Sequence, residues 1–282
     1  MRIGHCQLES VSGDFDANLA KVVRGLERAD QKRVQVVCFP ECFLTGYQDT
    51  EAATRVAAVA TDSPQFMRFL ERVARFNATC VVGFNELRGR DLYNTAAVVT
   101  KGHVLGTYSK CSAYMPFHKQ GREFPVFERD GVKFGVVICS DGGYIEPTRI
   151  LALKGARVIF SPHYNYIGKE QLLGHFTQVR SDHVARAVEN RVWFLRGNSV
   201  TPGARDTGIR QYEGVGYGDS YVVDPNGELL VPSRRHQEDF IFADVDPAQA
   251  VDRAWQVGRS LWSAREFGRT LLEVAEQAGR KK

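Results

Sequence analysis

Lys133-Phe-Gly-Val-Val-Ile-Cys139 is a strand-like run that ends on a cysteine, with Ser140-Asp-Gly-Gly143 directly behind it and a helical pattern from Glu146. Glycines after the cysteine let the backbone turn sharply. A cysteine at such a corner can point its sulfur out of the sheet, with the next backbone N–H groups close beside it. That is the layout of a nucleophile with its own oxyanion donor. The plainer reading is a buried core thiol, since free cysteine is among the most buried residue types. Two further polar residues stand at strand ends, Glu41 after Phe39-Pro40 and Lys110 after Tyr108-Ser109. In an α/β chain, functional groups gather in the crevice at the carboxyl ends of strands. Each also has an ordinary reading, Glu41 as a turn cap and Lys110 as an exposed charge.

The elements that must position these residues alternate strand with helix. Residues 2–8 read as a strand, and 16–29 as a helix with Leu19, Val22, Val23 and Leu26 on one face and Asp16 or Asn18 as its cap. A strand over 34–39 stops at Pro40, and Ser63-Pro64 opens a helix with Phe66, Phe69, Leu70 and Val73 on one face. Residues 80–84 form the next strand. A hairpin then joins 95–100 to 103–108 at Lys101-Gly102. The second half repeats the order: strand 133–139, helix 146–154 ended by Gly155, strand 157–160, a long helix over about 170–190 and strand 192–197. Asp224-Pro-Asn-Gly227 turns a further hairpin, and 240–245 closes the set.

Val36-Val-Cys-Phe-Pro-Glu41 in one half corresponds to Val158-Ile-Phe-Ser-Pro-His163 in the other. Such duplication argues for two sheets packed face to face with helices outside. Near-continuous apolar strands agree, since sheets buried on both faces need them. The spacing sets one domain over 1–246 and a C-terminal extension over 247–282. The extension carries Trp255, Leu261, Trp262, Phe267, Leu271 and Leu272, too many large apolar groups to leave in water. It is expected to pack on the domain or on a second subunit, giving a homodimer or higher homo-oligomer.

The composition is that of an ordinary globular chain, 43% hydrophobic and 25% charged over 282 residues. A net charge of +4, with basic and acidic residues interspersed, speaks against nucleic-acid binding. No apolar run approaches the roughly 20 residues of a membrane span. Met1 to Leu8 reads as a strand rather than a secretory leader. Six cysteines, Cys6, Cys38, Cys42, Cys80, Cys111 and Cys139, include no CxxC pair, so free thiols and a cytoplasmic location are expected.

Taken in order, several segments resemble the nitrilase, or carbon–nitrogen hydrolase, superfamily over nearly the whole chain. They are Phe39-Pro-Glu-Cys-Phe-Leu-Thr-Gly-Tyr47, Gly106-Thr-Tyr-Ser-Lys110 and Gly131-Val-Lys-Phe-Gly-Val-Val-Ile-Cys-Ser-Asp141. Glu146 to Ala156 and Gly218 to Glu228 extend the match. The resemblance implies a four-layer α-β-β-α sandwich with an internal pseudo-two-fold, assembly across helices, and a Cys139–Glu41–Lys110 site that needs no metal or cofactor. Its chemistry would be cleavage of a small linear amide or N-carbamoyl compound through a thioester on Cys139, with ammonia released. A nitrile substrate, or a non-catalytic member that keeps the fold and binds a ligand, are the alternatives.

The residue types suit that chemistry. A thiol of pKa about 8.5 needs a base or a cation to become an effective nucleophile. Glu41 can take the thiol proton and later activate water, while Lys110 favours the thiolate and the oxyanion. The backbone N–H of Ser140 is a second oxyanion donor. The family usually carries a second glutamate after the lysine, and here family spacing puts His118 at that place, with Glu123 the nearest carboxylate. His118 would bring an imidazole of pKa about 6.5 instead. Tyr47, Tyr164 and Asn165 are candidates to contact substrate, and His163 and Tyr166 to wall the pocket. His5 reads as structural. His175 and His183 fall on nearly one face of the long helix, without the spacing of a metal site. Gly214-Val-Gly-Tyr-Gly218 precedes a strand rather than opening a helix, which argues against nucleotide binding.

Overall fold

The computed structural model describes residues 1–201, 205–206, 211–212, 214–251 and 264–279. One six-stranded sheet is formed by β17 (Asp239–Asp244), β1 (Arg2–Gln7), β2 (Val36–Cys38), β3 (Thr79–Arg88), β4 (Asp91–Thr100) and β5 (His103–Ser109), in that order. The other runs β6 (Val126–Arg129), β7 (Val132–Val136), β8 (Val158–Pro162), β10 (Trp193–Gly197), β15 (Tyr221–Val223) and β16 (Leu229–Leu230). The three strands after the first of each sheet are parallel, and β2 occupies the place that β8 holds in its partner. The duplication read from the sequence is therefore a duplication of topology.

Alternation along the strands assigns the layers. Val36, Cys38, Val81, Val98, Phe134, Val136, Val158, Phe160 and Leu195 fill the space between the sheets. Val37, Cys80, Val82 and Phe84 point the other way, onto α1 (Phe15–Gln31) and α3 (Pro64–Val73). Ile159, Phe194 and Val223 do the same in the second sheet, against α4 (Ile145–Leu153) and α5 (Leu172–Asn190). Three cores between four layers make an α-β-β-α sandwich, and each fully buried Val, Leu or Phe in them contributes roughly 1.5–3 kcal/mol.

Several local expectations shift. The cap of α1 is Asp14, whose carboxylate accepts from the Ala17 amide at 2.9 Å, rather than Asp16 or Asn18. Asn18 is instead buried, bonding the carbonyls of Val11 and Leu44. The helix α2 (Glu51–Ala57) falls in a stretch read as loop, because Thr54 is its one buried residue and no apolar face marks it. Gly214–Tyr217 is itself a strand, β14, pairing with β9 (Tyr166–Gly168) and β11 (Val200–Thr201). The short strands β12 (Arg205–Asp206) and β13 (Gln211–Tyr212) pair antiparallel.

In the C-terminal region, α6 (Pro247–Val251) buries Ala250 among the residues between the sheets. The last helix, α7 (Ala264–Gly279), exposes Leu271, Leu272 and Val274. Trp255, Leu261 and Trp262 lie outside the described residues, as does the side chain of Phe267. No helix among the described residues is long and apolar enough to cross a membrane.

Candidate active site

Glu41, Lys110 and Cys139 meet at one end of the sandwich. Glu41 follows β2 on a loop laid closely over β3. A Cβ on Gly83 would stand 2.5 Å from the Cys42 amide nitrogen and 2.7 Å from the Pro40 carbonyl oxygen, so only glycine permits that approach. Lys110 follows β5, its amide bonded to the Asn94 carbonyl at 2.8 Å. Cys139 opens a short 3-10 turn, Cys139–Gly143, three residues past the end of β7, at φ +49°. A non-glycine residue in that left-handed region marks a strained corner, as expected for a side chain thrust out of a sheet.

Asp141 holds the corner in place. Its carboxylate accepts from the Ile138 amide at 3.1 Å and the Tyr108 hydroxyl at 2.7 Å. It also accepts from the Ser112 amide at 2.8 Å and from the Ser112 hydroxyl. One buried carboxylate thus ties the cysteine turn to β5 and to the segment after Lys110. Ser140 occupies the first turn of the 3-10 segment, where backbone N–H groups lack acceptors within the turn. Its hydroxyl lies 3.0 Å from that of Ser112.

Glu41 is 1% exposed and Lys110 2%. Lys110 Nζ donates to Glu41 Oε1 at 2.7 Å, Asn94 Nδ2 donates to the same oxygen at 2.7 Å, and the Tyr164 amide donates to Oε2 at 2.9 Å. Burial alone would favour a neutral Lys110. The negative Glu41 beside it, with Cys139 and Asp141, outweighs this and holds its pKa above the ordinary lysine value. Cys139 is pushed up to about 12, by burial first, then by the Glu41 carboxylate and its hydrogen bond to the thiol; Lys110 and Arg196 pull the other way. The resting sulfur is therefore a thiol, with the Glu41 carboxylate hydrogen-bonded beside it.

A cavity of about 520 Å³ opens over these groups. Tyr47, Ser140, Tyr164, Asn165, His163 and Tyr166 all line it, the last two where the sequence suggested pocket walls. The rings of Tyr47 and Tyr164 stack at 4.5 Å between centroids. His175 and His183 also reach the cavity, bonded through Nδ1 to Tyr217 and Tyr221 at 2.8 and 2.9 Å. Burial and the positive Arg196 hold His163, His175 and His183 below the ordinary histidine pKa, so all three are neutral at pH 7. Among the described residues no three His, Cys, Asp or Glu side chains are grouped to hold a metal.

His118 corrects an expectation. It is buried, but neither it nor the exposed Glu123 lines the cavity. Its Nε2 donates to Asn85 Oδ1 at 3.2 Å, and Asn85 in turn holds the Thr45 hydroxyl and the Gly46 carbonyl of the loop behind Glu41. Burial and the Lys110 charge lower its pKa to about 4. An imidazole turned toward Asn85 and uncharged at pH 7 braces the Glu41 loop and does not face the cavity. Sequence reasoning also missed Asn94, Asp141 and Arg196. A lone arginine inside Trp193-Phe-Leu-Arg-Gly197 was the one visible anomaly among them.

The family description "Carbon-nitrogen hydrolase" matches residues 2–254. A glutamine-dependent NAD(+) synthetase from Thermotoga maritima is 30% identical over 261 residues, which span 87% of this chain and 42% of that protein. The chain thus spans less than half the length of that relative. A nitrilase from Pyrococcus abyssi is 28% identical over 253 residues, covering 87% of this chain and 90% of that one. Among solved structures, a carbon–nitrogen hydrolase from Helicobacter pylori superposes with a TM-score of 0.82 at 21% identity, over 96% of this chain and 98% of that one, a likeness of fold.

Proposed function

The chain belongs to the carbon–nitrogen hydrolase family, and from that premise we propose that it hydrolyses a small linear amide or N-carbamoyl compound through a thioester on Cys139. The observation that carries this reading is the buried 2.7 Å pair of Lys110 and Glu41 lining the same cavity as the Cys139 sulfur.

In the reaction, Glu41 takes the thiol proton as the sulfur attacks the substrate carbonyl carbon. The carbonyl oxygen becomes negative and is met by Lys110 Nζ and the Ser140 backbone N–H, donors fixed before the reaction begins. Removing one such donor typically costs about 3–4 kcal/mol of transition-state stabilisation. The intermediate collapses, the C–N bond breaks, and Glu41 returns its proton to the leaving nitrogen, giving ammonia and an acyl thioester. Water, deprotonated by Glu41, then attacks the thioester carbon. The acid leaves and the sulfur recovers its proton. Burial supports this division of labour: a thiol pushed up to about 12 stays inert until a base and an electrophile are both beside it.

A panel of linear amides, ureido acids and nitriles, followed by ammonia release and intact mass, tests the reading. Turnover of an amide or carbamoyl compound with an acyl adduct on Cys139 is expected. Ammonia release that persists in Cys139→Ala would refute it, and turnover of nitriles alone would reassign the substrate.

A further inference from the structure

Arg196 is a long, charged side chain that is completely buried. It sits in β10, where Arg196 pairs with Ser161 of β8 and Tyr221 of β15, so no route to solvent opens along the sheet. Its donors go to uncharged groups: the Gly218 and Asp219 carbonyls from one terminal nitrogen, Asn165 Oδ1 at 2.7 Å and the Tyr217 hydroxyl at 3.0 Å from the other. Nε finds no partner among the described residues. The Asp219 carboxylate is engaged by Arg180 and Arg235 instead. A buried cation without a carboxylate is expensive to keep, and its position accounts for it. Guanidinium has donors only, so the bond to Asn165 fixes which end of that amide is oxygen. The other end, Nδ2, then donates to the Cys139 sulfur at 3.5 Å.

We propose that Asn165 is a catalytic residue that donates to the Cys139 sulfur as it becomes anionic, and that Arg196 is the positioning residue that aims it. The assignment rests on Cys139 being the nucleophile. A donor to the charged form of a group favours that form, and the full charge of Arg196 behind the amide acts in the same sense. Asn165 also has its backbone held, its amide bonded to Asn198 Oδ1 at 3.0 Å, so the side chain is preorganised rather than recruited by substrate. Among the described residues, the charged and titratable groups that interact electrostatically with the sulfur are Glu41, Cys42, Tyr47, Lys110, Tyr217 and Arg196. All except Arg196 are common to the variants compared below.

The test is alkylation of Cys139 by iodoacetamide, with the labelled peptide mapped, from about pH 6 to about pH 10. Asn165→Ala is expected to slow alkylation about tenfold and to move the rising limb of the profile about one unit to higher pH, and to lower the melting temperature because one Arg196 donor loses its buried acceptor. Arg196→Lys keeps a charge but cannot hold both carbonyls and the amide. It too should slow labelling, and Asn165→Ala with Arg196→Lys together should be no slower than Asn165→Ala alone. An unchanged rate and profile in Asn165→Ala would overturn the proposal, and that variant decides alone if the arginine variant does not fold. Slowing that multiplies in the double variant would remove Arg196 from the role. Labelling reads the sulfur without substrate, so failure here is distinct from ammonia release surviving in Cys139→Ala.

Discussion

The backbone amide of Tyr164 donates to Glu41 Oε2 at 2.9 Å, and the Glu41 amide reaches the His163 carbonyl at 3.4 Å. These are the equivalent loops of the two halves, each leaving the parallel strand β2 or β8. One loop supplies the Glu41 carboxylate and the other supplies a donor that orients it. The pseudo-two-fold therefore builds the site as well as the sandwich, because both sheets deliver their strand ends to the same crevice.

Glu41 accepts from Lys110, Asn94 and Tyr164 at once, so a neutral isostere and a truncated partner should differ in kind. Glu41→Gln keeps an oxygen for Lys110 but no base. Turnover is expected to fall about 10³-fold with a small change in melting temperature. Lys110→Met leaves the Glu41 charge buried and uncompensated, and should lose activity together with about 3–5 kcal/mol of stability. Ammonia release and denaturant unfolding on both variants check this. Equal destabilisation by the two would contradict the electrostatic account.

Asp141 concentrates four or more donors on one carboxylate that touches no part of the cavity. Asp141→Ala would strand buried N–H and O–H groups, each costing about 1–3 kcal/mol. The same change would release the turn that holds Cys139 at φ +49°. The expected result is a markedly less stable protein whose Cys139 adduct forms slowly. A variant with parental labelling rate would show that the corner is held by the sheet alone.

Gly83→Ala should separate site geometry from stability. The new methyl meets backbone atoms of Pro40, Glu41 and Cys42, so the loop must shift. Overpacking of this kind costs about 1–3 kcal/mol, while misplacing a base by about 1 Å can cost about 10²-fold in rate. Steady-state kinetics beside thermal unfolding would reveal it, and a loss of stability with full kcat would count against the close approach.

That Glu41, Lys110 and Cys139 gather at one crevice was legible because each follows a strand that its own apolar pattern announces, and because glycines flank Cys139. The layering was legible from strands apolar on both faces, as Val36, Val37 and Cys38 illustrate. What escaped depends on register across distant segments. Nothing local says that Asn94 faces Glu41, or that Asp141 rather than the glycines fixes the corner. Strands β9, β11, β12, β13 and β14 are too short for a period to show. His118 was placed by spacing from Lys110, but spacing along a loop does not set the direction of a side chain, and here it turns to Asn85.

The buried histidines set the acid limit of the fold. His5 and His118 are each lowered to about 4, mainly by burial, while an unfolded histidine titrates near 6.5. Between those values the unfolded chain binds a proton that the folded chain refuses. Stability is therefore fully present above about pH 6.5 and falls as pH drops toward about 4, by about 1.4 kcal/mol per pH unit for each such group. His118→Gln keeps a donor for Asn85 Oδ1 and removes one titrating group. Denaturant midpoints measured across that window should show a slope reduced by about one proton, while the pH–rate profile near neutrality stays parental. An unchanged slope would mean that His118 is protonated in the folded protein. An altered neutral profile would return it to the acid–base chemistry of the site.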